Sequence, residues 1–160
     1  MKKIIIPILL FSFSFGYAQQ NDEAEKKVIL EKISLFFKVL ETKDTVLYNT
    51  LVYSNAQIWT IRPQQDTIKV AMRSFGDDMK NLVKMQTVIE ERPISFEIKI
   101  HNNIAMAWVP YTLSLSGKFS HCGVDVFTFL KTVDGWKIVN ASYSVEPDGC
   151  ASLKKDTKAQ

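Results

Sequence analysis

Asp125 is the residue whose type and place most invite chemistry. It lies in Gly123-Val124-Asp125-Val126-Phe127, inside a long stretch that alternates like a strand. A carboxylate there is costly if buried and unpaired. In an apolar pocket its pKa would rise. A carboxyl so tuned can act as a base beside a donor that stabilises developing negative charge. On a period of two, His121, Phe127 and Phe129 share its face. His121 is four residues away, roughly 13 Å along an extended strand, too far for a direct bond. Asp125 therefore either lines a pocket or sits at a solvated or sheet-paired position.

Other polar groups could join it. Tyr111 and Tyr143 fall in strands, and Tyr48 and Tyr53 on an expected second helix. A buried tyrosine must satisfy its hydroxyl, so each is a candidate for a pocket wall. Arg73 stands one step off an apolar stripe and either reaches an anionic group or snorkels to water. Trp59 and Trp108 offer a flat apolar wall, and Phe127 shares the face of Asp125. A two-residue turn between Val133 and Trp136 pairs Phe129 with Asn140 and Asp125 with Ser144, and a one-step shift pairs Phe127 with Asn140. Either register puts Asn140 on the face of Asp125. The candidate ligand-binding set is thus Asp125, Asn140, Tyr111, Tyr53, Trp59, Phe127 and Arg73, with Asp125 the candidate catalytic base. Two histidines and no clustered ligands argue against a metal. The chain has no phosphate-cradling glycine loop and no nucleophile elbow, so no cofactor is expected.

The elements that must position these residues change period midway. The spacing predicts a helix over 21–42, with Val28, Ile29, Ile33, Phe36, Phe37 and Leu40 on one face. Asp44 is placed to cap a second helix ending near Asn55. A strand over 56–61 should stop at Arg62-Pro63. A third helix is expected over 66–84, burying Ile68, Met72, Phe75, Met79, Leu82 and Val83, with Gly76 a weak point. Strands follow over 94–100, 104–116, 119–131 and 136–145, and Asp134-Gly135 is a strong hairpin signal. Three helices before an antiparallel meander make an α+β fold, with three N-terminal helices on a curved sheet of four to six strands around a central cavity.

The N-terminus reads as an export signal. Lys2 and Lys3 precede an apolar run over 4–15, and Gly16-Tyr17-Ala18 offers a small residue for cleavage. The run is short for a membrane span, so no membrane anchor is expected and the mature protein is placed in the periplasm or outside the cell. The chain divides into a signal peptide over 1–18, a domain over 19–150 and a tail over 151–160. Cleavage leaves 18 basic against 17 acidic residues, with no concentrated positive footprint, so nucleic acid is not an expected partner. In an oxidising compartment the two cysteines, Cys122 and Cys150, should form one disulfide.

Several stretches resemble the nuclear-transport-factor-2-like superfamily. They are Ile98-Lys99-Ile100, His101-Asn102-Asn103 and Ile104-Ala105-Met106-Ala107, then Tyr111, Gly117, Val126 to Lys131, and Asp134-Gly135-Trp136-Lys137-Ile138; Tyr53-Ser54-Asn55-Ala56 is similar to the family's exit from its second helix. The resemblance implies a cone-shaped domain and a homodimer through the outer sheet face. It implies isomerase, dehydratase, binding or association roles without choosing among them. The expectation is a binding or association domain with a small apolar ligand; an isomerase-type or dehydratase-type enzyme using Asp125 is the competing one.

Overall fold

The computed structural model describes residues 14–148, 150, 151 and 153. The expected leader and tail lie largely outside these residues. Helix α1 runs Ser14–Thr42. Asp44 then caps α2, Thr45–Leu51, accepting hydrogen bonds from the backbone N–H of Val46 and Leu47 at 2.9 Å. That is the expected cap. The exit comes earlier than Asn55, because Val52 already enters strand β1, Val52–Gln64.

The largest departure follows. Residues 67–74 form strand β2, Thr67–Ser74, not the first half of a helix. Ile68 and Met72 are spaced for a helix, but with Val70 they also alternate like a strand. Thr67 Oγ1 bonds Gln64 O, and Gln65 takes a positive φ of 51°, closing a two-residue turn. Pro63 does not end β1; it pairs with Ile68 beside this turn. Only residues from Phe75 on are helical, in α3, Phe75–Lys84. Ser74 caps it: its Oγ accepts from Asp77 N–H and donates to Asp77 Oδ2. Phe75, Met79 and Leu82 are buried as expected, whereas Ile68, Met72 and Val83 are exposed. Gly76 sits in the first turn of α3, not at a bend.

The remaining strands are β3 (Ile89–Pro93), β4 (Glu97–His101), β5 (Ile104–Leu115), β6 (Lys118–Thr132) and β7 (Gly135–Ser144). The sheet has seven strands in the order β2-β1-β7-β6-β5-β3, with β4 also paired to β5. It is mixed, because β1 runs parallel to β7. The fold is therefore α+β with a larger, partly parallel sheet than a simple meander supplies.

Hydrophobic burial fixes the layers. Ile29, Ile33, Phe36 and Phe37 of α1 pack with Val109, Phe127, Phe129 and Ile138 of the sheet. Phe36 meets Phe75 and Phe127 edge-on, at 5.7 and 5.6 Å between ring centres, a favoured aromatic geometry. The start of α1 is tied down separately. Glu25 accepts from Trp136 Nε1 and pairs with Lys131 at 2.7 Å.

The β6–β7 register starts as the shifted one of the two expected and then departs from both. Thr132 pairs with Gly135, and Phe129 with Ile138. A bulge at Val139 then shifts the pairing, so that Phe127 faces Ala141 and Asp125 faces Tyr143. The extra residue reverses which side chains of β7 point inward. Farther along, Cys122 bridges to Glu146, and Cys122 and Cys150 form a disulfide with Cα atoms 5.6 Å apart. The expected bridge is present. Closing 28 residues of chain stabilises the fold by about 3–4 kcal/mol in the chain-entropy account.

One glycine is required by close approach. A Cβ at Gly123 would lie 2.1 Å from Ser144 O. Gly123→Ala should therefore force β6 and β7 apart and destabilise the protein by about 1–3 kcal/mol. Urea denaturation checks this; an unchanged midpoint would show that the strands are not held this closely.

Candidate functional site

A cavity of about 560 Å³ lies between the helices and the inner face of the sheet. Its apolar wall includes Phe36 and Leu40 of α1, Phe75 and Leu82 of α3, Ile58 of β1 and Phe127 of β6. Its polar groups come from seven elements: Arg62 (β1), Arg73 (β2), Asp78 (α3), Glu91 (β3), Tyr111 (β5) and, on β6 and β7, His121, Asp125 and Tyr143.

Asp125 is buried, only 5% exposed. Its Oδ2 is enclosed and has no hydrogen-bond partner among the described residues. The neighbour that reaches it is another acid, Glu91, in hydrogen-bonding contact. Glu91 sits on an edge strand and keeps partial exposure while it lines the cavity. Burial pushes the Glu91 carboxyl up to about 7. Burial, and then the charge of Glu91, hold Asp125 well above the usual carboxylate range. Two acids in contact in an apolar wall cannot both ionise cheaply. They titrate as a pair that retains a proton. Neither carboxyl gives up that last proton easily, because its loss would leave two negative charges side by side in an apolar wall.

Tyr111 shapes the wall beside them. It is the register partner of Gly123, and its hydroxyl donates to Ser144 O at 2.7 Å. Tyr111 is on β5 and Ser144 on β7, so the phenol passes over β6 where Gly123 has no side chain. Burial pushes its hydroxyl pKa far up, so it stays neutral. His121 meets the Tyr111 ring edge-on at 5.8 Å. Burial, with a smaller effect of Arg62, lowers its pKa.

Of the two arginines that line the cavity, Arg73 is already committed. Arg73 Nε pairs with Asp78, Nη1 donates to Thr60 Oγ1 at 2.8 Å, and Nη2 donates to Tyr143 Oη at 2.9 Å. It braces β1, β2, α3 and β7 across one corner of the cavity. Among the described residues no group of three His, Cys, Asp or Glu side chains could hold a metal. No helix among them is long and apolar enough to cross a membrane.

Of the residues singled out in the sequence, the structure brings Asp125, Tyr111, Phe127 and Arg73 to one cavity. Asn140 is not there. The bulge at Val139 turns it to the opposite face, where it pairs with Thr128 and accepts from Ser142 Oγ at 3.2 Å. Trp59 alternates with the buried Ile58 and Thr60 and so faces outward, 41% exposed. Tyr53 belongs to β1, not to α2, and is 49% exposed. Sequence reasoning missed Glu91, whose one signal is its alternation with Ile89, another cavity residue.

The comparisons agree with this architecture. In solved structures the fold matches a cystatin-like protein of the nuclear-transport-factor-2-like group from Novosphingobium aromaticivorans, with TM-score 0.64 and 13% identity over 90% of this chain and 96% of the other. A superfamily member from Salmonella enterica matches with TM-score 0.62 and 19% identity, covering 78% and 93%. A candidate ketosteroid isomerase from Shewanella frigidimarina matches with TM-score 0.53 and 18% identity, covering 71% and 92%. At these identities the likeness is one of fold. None of the curated proteins matches the sequence. The profile of a family described as "Putative lumazine-binding" matches residues 24–144, and the chain belongs to that family.

The acid pair gives stability a sign with pH. Glu91 has a raised pKa in the folded protein, so between about pH 4 and 7 the folded state binds more protons than the unfolded state. Its contribution is fully present below the unfolded pKa and is lost as pH rises through about 7. Glu91→Gln should therefore lose less Tm than the parent between pH 5 and 8. Parallel thermal melts across that range test this; identical slopes would mean that Glu91 is not enclosed with Asp125.

Proposed function

We propose that the chain is the precursor of an exported domain that binds a small, uncharged, largely apolar molecule in this cavity and does no chemistry on it. The observation that carries the reading is the cavity itself: about 560 Å³, apolar walls and a few converging polar groups, the usual make-up of a small-molecule site. The family's description adds lumazine as a probe, a flat heterocycle more polar than the walls alone would select, whose polar edge could meet the few converging polar groups. The leader features, Lys2-Lys3 and the apolar run after them, support export, as does the Cys122–Cys150 bridge.

The outer face of the sheet supports a homodimer. Trp59 pairs with Met72, Ile61 with Val70 and Pro63 with Ile68, and all three pairs stand on the face opposite the buried Ile58 and Thr60. Such an apolar patch is a natural two-fold contact.

A second reading, proton transfer of the isomerase or dehydratase type, is favoured by one observation: the acid pair opens onto an apolar cavity. In that reading the base is the ionised carboxylate of the Glu91–Asp125 pair, not Asp125 alone, and its protonated partner is the donor beside it. Exchange of the protons beside a bound ketone's carbonyl would distinguish it from simple binding.

Lumazine at about 100 times its Kd should stabilise the protein by about 2.7 kcal/mol, readable as a rise in Tm. Absence of any shift with lumazine or with an uncharged aromatic probe would remove the ligand reading. Trp59→Lys combined with Val70→Lys should convert a dimer to a monomer by light scattering. A parent already monomeric at high concentration would remove the dimer.

A further inference from the structure

We propose that the cavity is a proton-linked site: an uncharged ligand entering it drives a proton onto the Glu91–Asp125 pair, so binding is tight below neutrality and weakens as the pair ionises. The proposal rests on the cavity being a ligand site, and it names what sets the affinity there.

The geometry begins with what the pair lacks. Asp125 Oδ2 is enclosed with no hydrogen-bond partner among the described residues. The facing groups leave it little help. On β2, Arg73 is taken by Asp78 of α3, Thr60 of β1 and Tyr143 of β7. On β3, Arg92 pairs with Glu90 at 3.3 Å. On β5, the Tyr111 hydroxyl is committed to Ser144 O. Helix α1 contributes only Phe36 and Leu40 to the lining. Arg62 on β1 is exposed, and Glu146 beyond β7 adds negative charge near Tyr111. No buried cation among the described residues is spare to neutralise a second negative charge on the pair.

The remaining compensation is solvent reaching the carboxyls through the cavity. An apolar ligand displaces it. Removing solvent raises the cost of the ionised form and leaves the protonated form almost untouched. Ligand and proton therefore bind with mutual help, and linkage makes this reciprocal. The burial that already holds Glu91 near 7 places the effect in an accessible range. His121, the other titratable group on this wall, works in the opposite direction. Its charged form appears at low pH, so a ligand covering it would bind less tightly as pH falls.

The test uses the disulfide-bonded protein and N-phenyl-1-naphthylamine, an uncharged fluorescent probe, titrated from pH 6.0 to 8.5. Its Kd should rise about three- to tenfold between pH 6 and 8, within the limit of tenfold per pH unit for one linked proton. Calorimetry in buffers of different ionisation enthalpy should show proton uptake on binding. The double variants Glu91→Gln with Asp125→Asn and Glu91→Met with Asp125→Asn leave no ionisable carboxyl in the pair and should both flatten the profile, and either alone suffices if the other fails to fold. A pH-independent Kd overturns the linkage and leaves the ligand site standing. So does a slope that persists in the variants, or a Kd that falls with pH. Failure of the probe to bind at every pH removes the ligand reading itself.

Discussion

Side chains of a strand alternate between its two faces, and one unpaired residue reverses the alternation. Val139 is that residue here. Before it Trp136 and Ile138 point into the core, and beyond it Ala141 and Tyr143 do. Without the bulge, Asn140 and Ser142 would stand beside Phe127 and Asp125. The cavity wall would then be polar where it is now closed by an aromatic ring and a methyl group. The bulge also lets Tyr143 receive Arg73, which ties the β1–β2 hairpin to the rest of the sheet. The shape of the cavity and the placing of its polar groups depend on this single irregularity.

Much of the framework was legible because it rests on local chemistry. Asp44 announces α2 through its own side chain, Asp134-Gly135 announces a hairpin, and two cysteines in a chain with a leader-like start announce a bridge. The first half of the expected third helix was not legible. Ile68, Val70 and Met72 suit a strand, while Ile68, Met72 and Phe75 suit a helix, and only pairing with β1 decides. Ser74-x-x-Asp77 was a readable sign of where α3 begins. The bulge had no local signature, so Asn140 was assigned to the wrong face. Glu91 lay in a charged run that reads as solvated surface, and only the fold shows that its carboxyl turns inward to Asp125.

The site is one of internal balances. Arg73 and Asp78 neutralise each other at one corner, and the acid pair shares a proton at another. A cavity arranged in this way presents little net charge to a visitor. It discriminates through shape and through a few hydrogen-bonding positions, which is how an apolar pocket gains selectivity without strong electrostatic attraction. The same balances explain why the polar groups coexist with the aromatic contacts of Phe36, Phe75 and Phe127 around them.

The parallel pairing of β1 with β7 has a consequence for the order in which the chain can assemble. Residues of β1 find their partners some eighty positions later, among the last strand residues to be made. Until β7 arrives, the β1–β2 hairpin has one free edge, and the outer apolar row has no rigid sheet to stand on. Contacts of such long sequence separation are slow to form, because loop closure precedes any gain from them. The seam between β1 and β7 should therefore close late, and it is the place where an incompletely synthesised chain remains open.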